Sequence, residues 1–560
     1  MDVERILPAS LISSDEIGAP IKIKEEVEMK RIVFLIIASL LVLGLVLPGC
    51  TPSEEVIYTF EDGEVIIGIC ADIGHPTGDA NKYGIILAAN EINTAGGINI
   101  SGVAHNLTYV LIDTDEFTDE TGGVTGAAAL QAQIDNVDFV MGGSQSGAVA
   151  VYREVAMDAH KVFCGCGAAG EALCNSVVTN YDKYKYFFRG TPYNEYFLAQ
   201  SALRLVNSVA LEERAALNLS STDTLRAVII SENLTGVKNQ LVPAIAAGLP
   251  ALNIALNQTY YVNPGTSGDT IAALADIYAK GYNPHIIIPV YTGTMGVVYD
   301  GYLAAYAAAD VLCPMSVGIN VMEELKTPWA GVGTNLTSPP PGGPYCAYNC
   351  HLDTWAEGVN YTAKTYAFFM GFLTLTGGGN PALGEYPLYT AATYDTCFIL
   401  KTFLEDVAYW DAGDGVAKVN AADVIAWYED PTSAPLTTTG TSYLYPPWDG
   451  TTTYYGDPAL NKVQKEAIYG SSWAYHTYEW LMPPHTSHDL VYGPGYATGI
   501  GAQWQWDAEA GRWKKVGVWP MDFGDEYDEA LTDQYGCWNF AYNGTVPLMV
   551  PQNIIDHHKP

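Results

Sequence analysis

Val137-Asp-Phe-Val-Met-Gly-Gly-Ser-Gln-Ser-Gly-Ala-Val149 is the stretch whose reading decides the fold. Residues 137–141 are a short apolar run of the β-branched and aromatic kind that fills a buried strand. Residues 142–147, GGSQSG, are small and flexible and carry two hydroxyls. Residues 148–160 then have helical character. Glycines let a backbone approach a ligand closely, and the N–H groups at a helix start favour an anion or a carboxylate. An ordinary strand-to-helix turn also needs glycine, so the loop alone does not establish a site.

Working outward, the same alternation repeats on both sides. A strand at 65–69 is followed by a polar loop at 72–80 and a helix over 81–94, which Gly96 and Gly97 terminate. A strand over 107–112 ends in Asp113 and Asp115, and a helix over 121–134 leads to the opening strand. A further strand is expected at 161–164. This βαβαβαβ order specifies a parallel sheet with helices on both faces. The pattern restarts after Thr191, with helices at 195–206, 236–247, 270–280 and 296–308 and strands at 226–230, 260–262 and 285–290. Two such lobes in succession place a cleft between them. Helices near 361–375 and 395–407 and a hairpin over 500–518 follow. Residues 431–488, dense in Thr, Tyr and Pro, read as a loop-rich insertion, with a saccharide-binding or protein-binding role as the alternative to a structural cap.

Of the 560 residues, 62 are acidic and 26 basic, a formal charge of −36. Such a surface repels phosphate backbones, so nucleic acid is an improbable partner. Charged residues make up 16% and hydrophobic residues 49%, the balance of a folded chain. Residues 29–31 are basic at two of three positions and precede an apolar run over 32–47, shorter than the ~20 residues a spanning helix needs. With Leu47-Pro-Gly-Cys50 and a polar stretch after it, this reads as a secretory signal. The LPGC ending resembles the lipobox of bacterial lipoproteins, which implies lipidation at Cys50 and an extracytoplasmic protein held at the membrane. Residues 1–28 are then expected to be an upstream leader, 29–49 the signal peptide and 50–63 a linker. Ten cysteines are present, so nine remain besides Cys50. Cys346 and Cys350, close together in a Gly/Pro-rich loop, form a disulfide or nothing. With His351 as the sole neighbouring histidine, a zinc reading there is weaker. No metal or cofactor is expected.

The chain resembles the extracytoplasmic solute-binding proteins of ABC importers, in particular the leucine/isoleucine/valine-binding family. Four stretches carry the resemblance: residues 64–69 with Pro76-Thr-Gly78, the run GIILAANEINTAGGI at 84–98, Asp113-Thr-Asp115, and VMGGSQSG at 140–147. The resemblance covers 64–325 well and 365–408 fairly. It implies an α/β protein of the periplasmic-binding-protein type I fold, with two Rossmann-like lobes joined by a hinge and a ligand cleft between them. Lobe one is expected over 64–190 and 332–408, lobe two over 191–331 and 409–520, and a tail over 521–560.

By residue, the resemblance places Ser146 on the serine that holds a ligand carboxylate, with Ser144 and Gly147 beside it and Thr77 in the first cleft loop. Cys166 and Ala168 fall on a second loop that grips the ligand, although alanine lacks the threonine hydroxyl expected there. That loop, Gly165 to Gly170, also fits a dinucleotide G-x-G-x-x-G pattern, but no long helix is expected after it. Tyr291 keeps a cleft aromatic, with half-buried packing as an equal alternative. Thr235 falls where the family has a tyrosine. The acid that pairs with a ligand ammonium falls near Gly318, and Asn320 stands close to it. These departures shift the expected ligand from an amino acid toward a carboxylate, amide or neutral polar molecule. The implied function is capture of a small polar solute and its delivery to an ABC permease, without catalysis. A ligand-sensing receptor lobe, or an extracytoplasmic hydrolase with its site in the C-terminal region, is the alternative. No G-x-S-x-G, H-E-x-x-H or Walker pattern is present.

Overall fold

The computed structural model describes residues 56–117, 122–190, 194–234, 236–264, 266–291, 295–319, 336–340, 343–353, 363–377, 390–429, 488, 500–519 and 546–559. Cys50, the signal segment, Thr235, Asn320 and the 431–487 stretch lie outside them. A short strand, β1 (Ile57–Phe60), leads into β2 (Glu64–Ala71), and helix α1 (Pro76–Thr94) follows. Then come β3 (Ile98–Ile100), β4 (Val103–Asp113), α2 (Gly122–Gln131), β5 (Phe139–Gly142), α3 (Ser146–Asp158), β6 (Phe163–Gly165), α4 (Glu171–Thr179) and β7 (Phe187–Arg189). The six strands β2 to β7 form one sheet in the order β3-β4-β2-β5-β6-β7. β2 pairs in parallel with β4 from Glu64↔Asn106 to Ala71↔Asp113 and with β5 from Ile67↔Phe139 to Cys70↔Gly142. Only β3 runs antiparallel. Val65, Ile67 and Ile69 are fully buried, as unbroken apolar runs demand when helices cover both faces.

Helix α5 (Glu195–Leu217) opens the second lobe. Its sheet takes β8 (Leu225–Glu232), β9 (Ile254–Val262), β10 (Ile286–Val290), β11 (Met315–Ile319) and β12 (Cys350–Asp353). A C-terminal hairpin, β15 (Ile500–Asp507) and β16 (Arg512–Trp519), completes it in the order β16-β15-β12-β11-β10-β8-β9. Successive β8 residues alternate between two cores. Leu225, Ala227 and Ile229 face the one that holds Leu205 and Ile245, and Val228 and Ile230 face the one that holds Leu274 and Tyr299. Between β8 and β9 the expected helix is present, but Val237–Leu241 is wound as a π-turn before Val242–Gly248 continues as α-helix.

The chain returns to the first lobe differently from the expected boundaries. β12, within the 332–408 assigned to lobe one, is a strand of the second sheet, pairing in parallel with β11 and antiparallel with β15. Conversely, residues 409–429 belong with the first lobe. Strands β13 (Tyr409–Asp411) and β14 (Val416–Asn420) join β1 in a three-stranded sheet. Helix Ala421–Glu429 buries Val424, Ile425 and Trp427 in the same core as Val65 and Phe139. Helix Thr390–Val407 packs on α1 and contributes Phe403 and Leu404 to that core.

Cys346 and Cys350, read as a disulfide or nothing, are not bridged. Cys346 packs with Phe369, Trp504 and Trp513, whereas Cys350 starts β12 and faces Val317 and Leu352. The two side chains enter different cores, and all eight described cysteines are thiols. The G-x-G-x-x-G loop is followed by a helix of only nine residues, α4, with Gly170 at its N-cap.

Candidate functional site

Three loops meet at the carboxyl ends of β2, β5 and β6, the edge where open α/β sheets bind ligands. Gly142 makes the sharp turn out of β5 with φ at 99°, and a Cβ there would lie 2.2 Å from the Cys70 carbonyl oxygen. Gly143 N–H donates to that same oxygen at 2.8 Å. The turn delivers the chain to α3, whose cap is Gln145: its side-chain oxygen accepts the Ala148 N–H at 2.5 Å. Glutamine is a rare cap, so nothing local marks Ser146 as the helix start, and the helix begins two residues before the expected Ala148.

The second loop is zipped to the first. Cys166 N–H donates to Gly142 O, and Ala168 N–H donates to Gly143 O, both at 3.0 Å. Gly170 N–H donates to the Ser146 hydroxyl oxygen at 2.9 Å. Ser144, Ser146, Gly147, Cys166 and Ala168 are therefore brought together as one double loop. Behind it, the buried Arg189 guanidinium donates to the carbonyl oxygens of Ala168 and Gly170. The Cys166 side chain points inward, its Sγ 3.8 Å from the Thr396 hydroxyl, and burial raises its thiol pKa.

Thr77 is fully buried and its hydroxyl meets His75 Nδ1 at 3.1 Å. One turn along α1, Asn81 Nδ2 donates to the Ser144 hydroxyl at 3.1 Å, while Asn81 Oδ1 accepts from the Thr393 hydroxyl at 2.5 Å. Ser144 is thus tied through Asn81 to Thr393, which lies 312 residues after Asn81 in sequence. Tyr291 lies in the second lobe. Its ring is fully buried against Tyr299 and its hydroxyl is 3.3 Å from that of Thr270, so it takes the packing role, not an exposed one.

Glu116 is the residue that sequence reasoning missed. It is buried and accepts the Ser144 N–H at 2.9 Å, the Gln145 N–H at 3.2 Å and the Tyr152 hydroxyl at 3.1 Å. Burial pushes its carboxyl up to about 7, against the opposing pull of those hydrogen bonds. Two N–H donors ahead of α3 are thereby taken by the protein's own carboxyl. The first-turn N–H groups of Ser146 and Gly147 have no helical acceptor, as in any helix, and are the donors this end of α3 can offer. Asp72, Asp113 and Asp115 lie beside this edge with carboxylate oxygens within 4.8 Å of one another. Asp113 accepts the Ile73 N–H and Asp72 accepts the Phe117 N–H, so both brace the loop after β2.

Where the lobes join, Glu195 N–H at the start of α5 donates to Ala169 O at 2.9 Å. Burial raises the Glu195 carboxyl above the ordinary range, with Arg189 opposing. His488 is held between Phe187 O and Glu429 Oε1 at 2.8 and 2.7 Å and stacks on Phe188. That is a structural position. A cavity of about 830 Å³ lies away from the double loop, lined in part by Leu303, Met315, Tyr345, Tyr348, Trp513 and Ile554.

Comparison with solved structures matches this arrangement. A solute-binding protein of an ABC transporter from R. palustris in complex with 4-hydroxybenzoate is similar at 13% identity, with a TM-score of 0.52, over 81% of this chain and 96% of that one. A branched-chain amino acid transporter substrate-binding protein from Streptococcus pneumoniae in complex with isoleucine is similar at 15% identity, with a TM-score of 0.50, over 81% and 99%. An ABC transporter substrate-binding protein from Sphaerobacter thermophilus is similar at 13% identity, with a TM-score of 0.50, over 81% and 97%. This is the periplasmic-binding-protein type I fold. No protein-family model and no curated protein matches the sequence. Within the type I fold, the double loop of this chain stands on the first lobe at the carboxyl end of its sheet.

Proposed function

We propose that this chain is the extracytoplasmic solute-binding component of an ABC importer, tethered through a lipid on Cys50 and working by lobe closure without catalysis. The ligand is a small polar molecule carrying a carboxylate or amide, held by Ser146 and the first turn of α3. Ser144, Gly147, Thr77, Cys166 and Ala168 shape the pocket wall.

The observation that supports this reading best is the convergence at Ser146. Its hydroxyl joins the two loops through Gly170, and it opens a helix whose first N–H groups are donors for an anion. The similar structures from R. palustris and Streptococcus pneumoniae hold 4-hydroxybenzoate and isoleucine, and both ligands are carboxylates. The test is a thermal-shift screen of the purified protein, freed of carried-over ligand, against amino acids, amides, aromatic and aliphatic carboxylates, and sugars. A saturable rise in melting temperature that Ser146→Ala weakens at least tenfold in ligand concentration supports the site. A rise that Ser146→Ala leaves unchanged moves the site elsewhere, and no rise with any compound removes the support for binding.

A further inference from the structure

On the second lobe, Asp310 follows the helix Met295–Ala308, Cys313 precedes β11, and His557 belongs to the C-terminal helix Gln552–His558. One donor atom from each, a carboxylate oxygen, the thiol sulfur and a ring nitrogen, lies within 4.8 Å of the others. His557 Nδ1 is 2.7 Å from Asp310 Oδ1, and Cys313 Sγ is 3.8 Å from that same oxygen. On its other side, His557 Nε2 is 2.8 Å from Asn283 Oδ1. A neutral imidazole that donates Nε2–H to Asn283 turns a bare Nδ1 lone pair toward a carboxylate and a sulfur. At this spacing a proton holds Nδ1 to Oδ1, and a divalent cation that displaced it, together with the Cys313 thiol proton, would meet three Lewis bases facing one point.

We infer that Asp310, Cys313 and His557 form a binding site for a borderline-soft divalent transition metal, with zinc as the natural occupant. Mixed sulfur, nitrogen and oxygen donors select zinc over calcium or magnesium, which prefer oxygen alone. Asn283 acts as the outer partner that fixes the ring and its tautomer. The Arg226 guanidinium donates to the Asn283 main-chain oxygen at 3.0 and 3.1 Å. Asp310 is exposed and gives the ion a way in, whereas Cys313 is buried and supplies the enclosed side. His558 stacks on His285 at 4.5 Å and reaches Cys313 O at 3.0 Å, holding the C-terminal helix in place beside the donors. The metal would pin the C-terminus to the second lobe.

The test uses the tag-free, metal-stripped full chain and zinc alone, titrated against a competing chromogenic chelator. One zinc per chain is expected, and Cys313→Ser and His557→Ala should each weaken it by more than about 100-fold, with Asn283→Ala costing roughly 10–100-fold. Cobalt in place of zinc should give a thiolate-to-metal absorption band that Cys313→Ser abolishes. Circular dichroism of His557→Ala separates lost ligation from lost folding. The inference is overturned if no stoichiometric zinc binds, or if both variants keep it, in which case a proton shared by His557 and Asp310 accounts for the cluster.

Discussion

Glu116 accepts the backbone N–H of Ser144 at 2.9 Å, so the first lobe fills part of its own anion-binding turn with an internal carboxyl. Burial raises that carboxyl from 4.5 to about 7. An acid whose pKa is raised on folding favours the native state while it is protonated. Its contribution is complete below about 4.5 and is lost as the pH climbs through about 7. Between pH 6 and 8 the melting temperature should therefore fall, with Glu116 responsible for about 1–1.5 kcal/mol, the rest of its effect lying between pH 4.5 and 6. Glu116→Gln keeps an acceptor for one N–H and removes the titration. Thermal melts across this range should be measurably flatter in the variant, and identical slopes would assign the effect to other groups.

Glu213 in α5 is a second buried acid, and among the described residues neither of its carboxyl oxygens has a hydrogen-bond partner. Burial pushes it up to about 8, with Arg214 and Arg226 opposing. No ligand-binding role attaches to this position. Glu213→Met should stabilise the protein at pH 9 by about 1–3 kcal/mol and much less at pH 6, where the native carboxyl is already neutral. Chemical denaturation at the two pH values reads the difference.

The double loop depends on the absence of a side chain at Gly167. A Cβ there would sit 2.8 Å from Ser144 Oγ and 3.0 Å from both Gly143 O and Ser144 Cα. Gly167→Ala should cost about 1–3 kcal/mol as the loops are pushed apart, and it should impair any ligand response that runs through Ser146. Gly268, in the first turn of helix Ser267–Ala279, has nothing within 4 Å of its Cβ position. Gly268→Ala is the matched control and should be neutral or stabilising by about 0.4–1 kcal/mol. Equal melting temperatures for the two variants would dissolve the argument for loop interlocking.

The alternation of the two lobes was legible because parallel strands buried on both faces are near-continuous apolar runs. Val65 to Ile69 and His285 to Val290 announce themselves without any partner in view. The grouping of Ser144, Ser146, Cys166 and Ala168 was legible too, since neighbouring strands end at the same edge of one sheet. What stayed hidden was set by long-range contact. Glu116 stands in DTDEFTDE, residues 113–120, where nothing local distinguishes the acid that folds under α3 from those around it. Asn81 reaches Ser144 only because α1 packs where it does, and its other partner, Thr393, comes from a helix the sequence placed only approximately. The crossings between lobes were misjudged for the same reason: β12 is four residues long, and only its pairing with β11 and β15 shows which sheet owns it.

The internal carboxyl also makes a prediction about ligands that rests on the proposed binding role. A carboxylate held at the first turn of α3 lies one loop away from Glu116, whose oxygens already occupy the donors of Ser144 and Gln145. Two like charges at ~6 Å, at an effective dielectric constant between protein and water, repel by about 1 kcal/mol, or roughly fivefold in affinity. Glu116 is mostly protonated at pH 6 and mostly ionised at pH 8, given its value of about 7. A carboxylate ligand should therefore bind several-fold more weakly at pH 8 than at pH 6, whereas its uncharged amide should show little change. In Glu116→Gln the carboxylate should lose its pH dependence and bind at pH 8 as the parent does at pH 6. Isothermal titration of the acid–amide pair against both proteins decides it: a pH effect that survives Glu116→Gln belongs to another group, and an equal effect on acid and amide reports a change in the fold rather than charge repulsion at the site.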